Sequence, residues 1–300
     1  MQALPESITW IASKQTYYTI RFLVDRDRVK EAFQAYAYFR WLDDQLDQEL
    51  PGQPERIAFV ERQKELMHRC FQEDWPPQLS KEEGMLINLI RSDGDTNSGL
   101  RIYIQNMMDL MAFDAHRRGR LISQEELTEY TRCLATAVTE ALHYFIGHDC
   151  VSPGGERRYR AVTGAHITHM LRDALDDNVS GYYNVPREYL EANGISPQDV
   201  NHEAYQVWVR NQVQAARTCF ESGKGCLAQV QNLRCRLAGY AYIARFEGVL
   251  DAIEQEGYRL RGEYPERQGM RAGVKVSWSV LWSALNPHQG ERKPQVSLSK

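Results

Sequence analysis

Two stretches of the chain set carboxylates, arginines and histidines at helical spacing. In Y-A-Y-F-R-W-L-D-D-Q-L-D (36–47), Tyr36, Arg40, Asp43 and Asp47 fall four, three and four residues apart. On an α-helix that spacing makes one stripe, of the kind that normally carries the apolar side chains turned to the core. In H-I-T-H-M-L-R-D-A-L-D-D (166–177), His166, His169, Asp173 and Asp177 fall three, four and four apart, with Arg172 and Asp176 beside them. The chain thus holds a D-D-x-x-D run (Asp43, Asp44, Asp47) and a D-x-x-D-D run (Asp173, Asp176, Asp177), each with an arginine just upstream. Polar groups at core spacing cost free energy unless something satisfies them.

The chemistry that suits them is metal-assisted departure of a diphosphate. Oxygen-only ligands from aspartate select a hard cation such as Mg²⁺, which keeps waters and completes its shell with phosphate oxygens. Two facing acidic helices would clamp a diphosphate through Mg²⁺, stabilising the charge that builds on departing pyrophosphate. Arg40, Arg172 and Lys14 are the candidate direct phosphate contacts, the arginines bidentate. Ionisation leaves a carbocation, which aromatic faces stabilise without trapping it. Tyr17, Tyr18, Phe22, Tyr36, Phe39, Tyr130, Tyr144 and Phe145 supply such faces.

Each acidic run alone is also what a solvated helix face looks like. Arg40 reaches Asp44, and Arg172 reaches Asp176, at i,i+4, worth roughly 0.2–0.5 kcal/mol a pair. That explanation must account for the same design twice, and there it loses. For His166 and His169, packing and hydrogen bonding outweigh ligation. Their i,i+3 spacing is not H-E-x-x-H, and no further soft ligand is placed to complete a zinc site.

The elements that must carry these residues are helices. Helical periodicity runs over about 14–24, 27–49, 54–73, 81–92, 97–119, 124–147, 155–179, 202–233 and 237–261, with breaks at Pro51-Gly52, Pro76-Pro77, Gly94-Asp95, Pro153-Gly154-Gly155 and Gly194. Ser123 with Glu126 reads as a capping box opening the 124–147 helix. Strand signals in series are missing. Short connections between many helices imply a single all-α domain, here over 1–285, whose bundle interior hosts the site. The apolar stretch V-S-W-S-V-L-W-S-A-L (276–285) is expected as a final packed helix, with peripheral membrane contact as the alternative. Residues 286–300 are expected as a polar, disordered tail.

Bulk properties exclude other classes. A net charge of −4 leaves no basic footprint for nucleic acid. No apolar run has the length of a membrane span, and no export signal opens the sequence. The six cysteines form no C-x-x-C pair, as expected of reduced thiols in a cytoplasmic protein. No G-x-G-x-x-G dinucleotide fingerprint is present, so the use of NADPH stays open. The oligomeric state stays open too.

Four stretches together resemble the squalene/phytoene synthases, head-to-head prenyltransferases with the isoprenoid-synthase fold. They are S-K-Q-T-Y-Y (13–18), the 36–47 stretch, Y-T-R-C-L-A-T-A-V-T (130–139), and L-R-D-A-L-D-D-N-V-S-G-Y-Y-N-V-P-R-E-Y-L (171–190). The resemblance implies an all-α bundle with a central cavity and Mg²⁺-dependent alkyl transfer from an allylic prenyl diphosphate. It implies that Asp43, Asp47, Asp173 and Asp177 hold two or three Mg²⁺ ions, with Asp44 and Asp176 in support. Arg40, Arg172 and Lys14 would bind diphosphate, Tyr17 would belong to the substrate-binding segment, and Tyr36 and Tyr130 would line the site.

The chain also departs from the family pattern. His166 and His169 stand where the family has Gln and a metal-ligating Asn. Thr136 and Thr139 replace glycines of the prenyl-tail channel. Phe246 replaces a tyrosine, and Glu263, with Arg261 beside it, falls where an arginine would meet diphosphate. The first, ionising diphosphate site is therefore expected to be intact and a second one altered. The acceptor is expected to be a second prenyl diphosphate, with a non-diphosphate acceptor such as an aromatic ring as the alternative. A non-catalytic binding role is disfavoured by retention of every motif aspartate.

Overall fold

The computed structural model describes residues 4–50, 52–147 and 154–264. They form eleven α-helices and contain no strand. In chain order these are α1 (Leu4–Ala12), α2 (Lys14–Leu23), α3 (Val29–Asp44), α4 (Gln53–Phe71), α5 (Glu83–Ser92), α6 (Gly99–Arg117), α7 (Gln124–Phe145), α8 (Arg160–Ser180), α9 (Arg187–Asn193), α10 (Glu203–Leu227) and α11 (Leu233–Gln255). The expected all-α architecture holds. The expected helix over 276–285 and tail over 286–300 lie outside the described residues.

Local chemistry sets the helix ends. Ser123 accepts from the Glu126 amide at 3.1 Å, and Glu126 Oε2 accepts from the Ser123 amide at 2.8 Å, closing the expected capping box on α7. Ser13, Ser98 and Asn232 cap α2, α6 and α11 through their side-chain oxygens. Gly181, in the left-handed region at φ 84°, ends α8.

Boundaries differ from expectation in several places; the helix expected over 155–179 starts at Arg160, and the one expected over 237–261 runs Leu233–Gln255. α1 is an additional short helix packed on α3. α9 is a seven-residue helix after Pro186. The expected 202–233 helix stops at Leu227, and the chain turns before Asn232 opens α11. Finally α3 gives way after Asp44 to a π-helical turn, Gln45–Glu49, in which the Leu50 amide donates to the Gln45 carbonyl at 3.1 Å. Single π turns recur at functional sites, and this one carries Asp47.

Packing runs through one continuous core. α6 lies along α7, α8 along α10, and α3 lies among α1, α5 and α6. Tyr38, Phe33, Leu42, Leu100, Ile104 and Met108 fill it. The approach of α8 to α10 depends on small residues. A Cβ on Gly223 would stand 2.8 Å from the Ala161 amide nitrogen, and one on Gly164 would stand 2.8 Å from the Phe220 ring. α3 also touches α6, and α8 touches α7.

Candidate active site

The α3 stripe anchors one side. Burial raises the pKa of the Tyr36 hydroxyl, opposed by the Arg40 charge and then by the Thr16 and Ser13 hydroxyls of the S-K-Q-T segment, which places that segment beside α3. Arg40 pairs with Asp43 at 3.3 Å and with Asp44. Burial, reinforced by neighbouring Asp47, pushes the Asp43 carboxyl up to about 6. Tyr182 donates its hydroxyl to Asp47 Oδ1 at 2.9 Å.

On α8, Arg172 grips Asp173 in a two-pronged pair, Nε to Oδ1 at 2.5 Å and Nη2 to Oδ2. The i,i+4 pair with Asp176 that a solvated helix face would show is not formed: the arginine turns to its neighbour, and Asp176 stands exposed. Burial pushes the Asp177 carboxyl up to about 7, with the Asp173 charge adding to it. The Asn184 amide donates to Asp177 Oδ2 at 2.8 Å.

Sequence reading missed the group between these two helices. Asp114, on α6, accepts from Arg117 Nε at 2.6 Å and from the Tyr130 hydroxyl at 3.1 Å. Arg117 is buried and also donates to Asn184 Oδ1 at 3.0 Å. A chain of polar contacts therefore runs from Tyr130 through Asp114, Arg117 and Asn184 to Asp177. Asp114 also raises the pKa values of Asp43 and Asp177 through its charge, and Asp47 raises that of Asp114. The carboxylates of α3, α6 and α8 thus share one electrostatic neighbourhood. The signal was present in the sequence. Asp114 continues the α6 core stripe of Ile104, Met108 and Met111, all buried, and the charge-at-core-spacing argument applied to α3 applies to it equally.

The remaining expected residues divide. The Tyr130 ring lies 5.5 Å from Phe113 and 5.4 Å from His166. His166 is 7% exposed, its Nε2 has no hydrogen-bond partner among the described residues, and burial followed by the Arg117 charge lowers its pKa to about 3. His169 packs against Phe246 at 4.6 Å, and Phe246 packs on Tyr242 at 4.9 Å. Thr139 is 4% exposed with its hydroxyl unpartnered among the described residues. It lines a narrow apolar cavity of about 40 Å³ with Ala161, Gly223, Leu227, Gly239 and Tyr242. Thr136 instead lines a separate groove with Thr128, Thr163 and Ile167, so of the two threonines only Thr139 meets the inner cavity. Tyr17 packs on Phe33 at 5.3 Å, and the Lys14 ammonium lies 5.4 Å from the centre of the Trp10 ring. Glu263 is exposed, and Arg261 pairs with Glu256.

Among the described residues no group of three or more His, Cys, Asp or Glu side chains is arranged to hold a metal ion by itself. Mg²⁺ does not require one, since it is commonly held by one or two carboxylates with substrate phosphates and water. The donor set is all oxygen, and the raised carboxyl pKa values reflect burial first and repulsion between neighbouring carboxylates second, both of which a divalent cation would offset. Oxygen donors of this kind are the type that a hard divalent cation takes.

The sequence pattern of the family described as squalene/phytoene synthase matches residues 12–279. The chain belongs to that family. Among family relatives, a chloroplastic phytoene synthase of an Oncidium hybrid cultivar is 29% identical over 96 residues, 31% of this chain and 23% of that protein. The matched stretch thus spans less than a quarter of that relative's length. The crystal structure of a dehydrosqualene synthase in complex with ligand has the same fold, with a TM-score of 0.71 at 14% identity over 94% of this chain and 95% of that one. No helix among the described residues is long and apolar enough to cross a membrane.

Proposed function

We propose that the protein is a Mg²⁺-dependent prenyltransferase that ionises an allylic prenyl diphosphate and joins the cation to a second prenyl diphosphate, head to head. One observation carries this reading. Asp43 and Asp47 share an electrostatic neighbourhood with Asp177 through Asp114, with an arginine beside each acidic run, in a chain of the squalene/phytoene synthase family.

Asp43, Asp47, Asp173 and Asp177 would hold the ions, with Asp44 and Asp176 in support. When bound there, Mg²⁺ would supply charge neutralisation to the diphosphate and to the departing pyrophosphate. Arg40 and Arg172 are each paired with a clamp carboxylate. Their role is to move onto the diphosphate oxygens when it binds, keeping the bidentate geometry that guanidinium groups offer phosphate. Lys14 serves the same anion from α2. As the C1–O bond breaks, its electron pair leaves with pyrophosphate, and Tyr36, Phe113 and Tyr130 shield the allylic cation from water. Tyr130 gives its hydroxyl proton to the bond with Asp114, which leaves a lone pair on its oxygen to guide the proton lost after C–C bond formation.

A second reading has its own support: transfer of the prenyl group to an acceptor without diphosphate. His166 Nε2 and Thr139 Oγ1 are buried without partners among the described residues, and each would cost about 1–3 kcal/mol if only hydrocarbon met it. An aromatic or hydroxylated acceptor reaching the His166 ring beside Tyr130 would give its neutral Nε2 a donor, while Thr139 faces a separate narrow cavity. Purified protein incubated with Mg²⁺ and prenyl diphosphates of several lengths, followed by mass spectrometry, separates the readings. A C30 or C40 product from prenyl diphosphate alone supports the first. Product only on adding an aromatic acceptor supports the second. No pyrophosphate release under either condition overturns both.

A further inference from the structure

Both aspartate runs occupy the C-terminal ends of their helices. Asp43 and Asp44 close α3 and Asp47 lies in the π turn beyond it, while Asp173, Asp176 and Asp177 precede the end of α8 at Ser180. The last carbonyls of a helix have no intrahelical donor and form the negative pole of its dipole. Two negative poles and two sets of carboxylates therefore converge, and the fold must oppose their repulsion before any cation arrives.

Arg118 sits where it can do so. It is the half-buried residue at the end of α6. Its Nη1 donates to the Asp47 carbonyl at 3.3 Å and its Nε donates to the Ser180 carbonyl at 3.1 Å. One guanidinium thus bonds a terminal carbonyl of each acidic segment. The neighbouring Gly119 amide donates to the Gly181 carbonyl at 2.8 Å. Tyr182 completes the join: its hydroxyl reaches Asp47, and its ring lies 5.1 Å from the Arg117 guanidinium and 5.9 Å from that of Arg118.

We propose that Arg118 is a positioning residue: by bonding the carbonyl ends of both acidic segments it sets the separation of the two aspartate runs and presets them for a Mg²⁺–diphosphate ligand. The inference rests on the clamp reading above. Arg118 needs no contact with substrate in this role. Its effect passes through the spacing of carboxylates, so its loss weakens metal binding and leaves the chemical step intact once metal is forced in.

The test uses the full chain and the variants Arg118→Ala, Arg118→Lys and Tyr182→Phe. Binding of Mg²⁺ with inorganic pyrophosphate is measured by calorimetry, and the Mg²⁺ dependence of pyrophosphate release is measured beside it. Arg118→Ala is expected to raise the half-saturating Mg²⁺ concentration about tenfold, the scale of losing a group that orients metal ligands, with kcat at saturating Mg²⁺ within about twofold of the parent. Arg118→Lys keeps the charge and loses the fork, so it is expected to behave as Arg118→Ala does. Tyr182→Phe shifts the same Mg²⁺ curve in the same direction and serves if the arginine variants do not fold. An unchanged Mg²⁺ curve in folded variants overturns the proposal. So does a parent-like Arg118→Lys alongside an Arg118→Ala that stays weak at saturating Mg²⁺, the pattern of a direct phosphate contact. Failure of the parent protein itself to bind Mg²⁺–pyrophosphate overturns the clamp reading and this proposal with it, and is a separate result from parent and variants binding alike.

Discussion

Replacing Asp114 by Asn tests whether the buried network between the acidic helices is a real counter-ion system. The substitution keeps shape, and the amide oxygen can still accept from Tyr130. It removes the charge facing Arg117, whose side chain is 9% exposed against 16% for Asp114. Breaking a buried pair by neutralising one member typically costs about 3–5 kcal/mol, because the other charge stays buried. Arg117 keeps its bond to Asn184 and the more distant charge of Asp177, so the lower end, about 3 kcal/mol, applies here. With an unfolding entropy of ~2.1 cal/mol/K per residue over 300 residues, or ~0.6 kcal/mol/K, that cost lowers Tm by about 5 °C. Thermal unfolding followed by circular dichroism reads it directly. Adding Arg117→Gln to Asp114→Asn removes the orphaned charge, so the double variant is expected to be more stable than the sum of the single effects. A Tm for Asp114→Asn within about 1 °C of the parent, or strictly additive effects, would refute the reasoning.

Asp43→Asn and Asp173→Asn are each expected to reduce turnover by about three orders of magnitude or more, as loss of transition-state charge stabilisation does, with circular dichroism unchanged; near-normal turnover in either contradicts the clamp. The Asp43 and Asp177 carboxyls, held at about 6 and about 7, lie above their unfolded range, so their ionisation opposes folding. Their contribution makes the metal-free protein lose stability as pH rises from about 4 through about 7; Mg²⁺ restores Tm at pH 8 more than at pH 5, and Asp177→Asn flattens the metal-free trend, all read from thermal scans across pH. Gly223→Ala drives a methyl against the Ala161 backbone and is expected to cost about 1–3 kcal/mol, the usual range for overpacking, seen as a Tm about 2–5 °C lower.

The fold and half of the site were legible from periodicity. The capping box at Ser123 and the two stripes on α3 and α8 are local patterns, and local patterns survive into the structure. What was not legible depends on contacts between distant segments. Core spacing singles out Asp114, but the partners come from elsewhere: α7 brings Tyr130 to Asp114, and the loop after α8 brings Asn184 to Arg117. Helical spacing lets Arg172 reach Asp176, yet it turns to Asp173. Thr136 and Thr139 lie three apart, but the packing of α7 against α8 sends one to an outer groove and one to the inner cavity. The π turn at Gln45–Glu49 left no trace in the hydrophobic pattern, because Leu42 and Leu46 stay buried across it.

The most direct test of the central claim is a pyrophosphate-release assay on the purified protein with an allylic prenyl diphosphate, with Mg²⁺ and with EDTA in its place, followed by mass spectrometry of the organic products. The account predicts pyrophosphate release with Mg²⁺ and none with EDTA, accompanied by a head-to-head C30 or C40 product. Release that proceeds equally in EDTA, or no release from any allylic diphosphate, would contradict it.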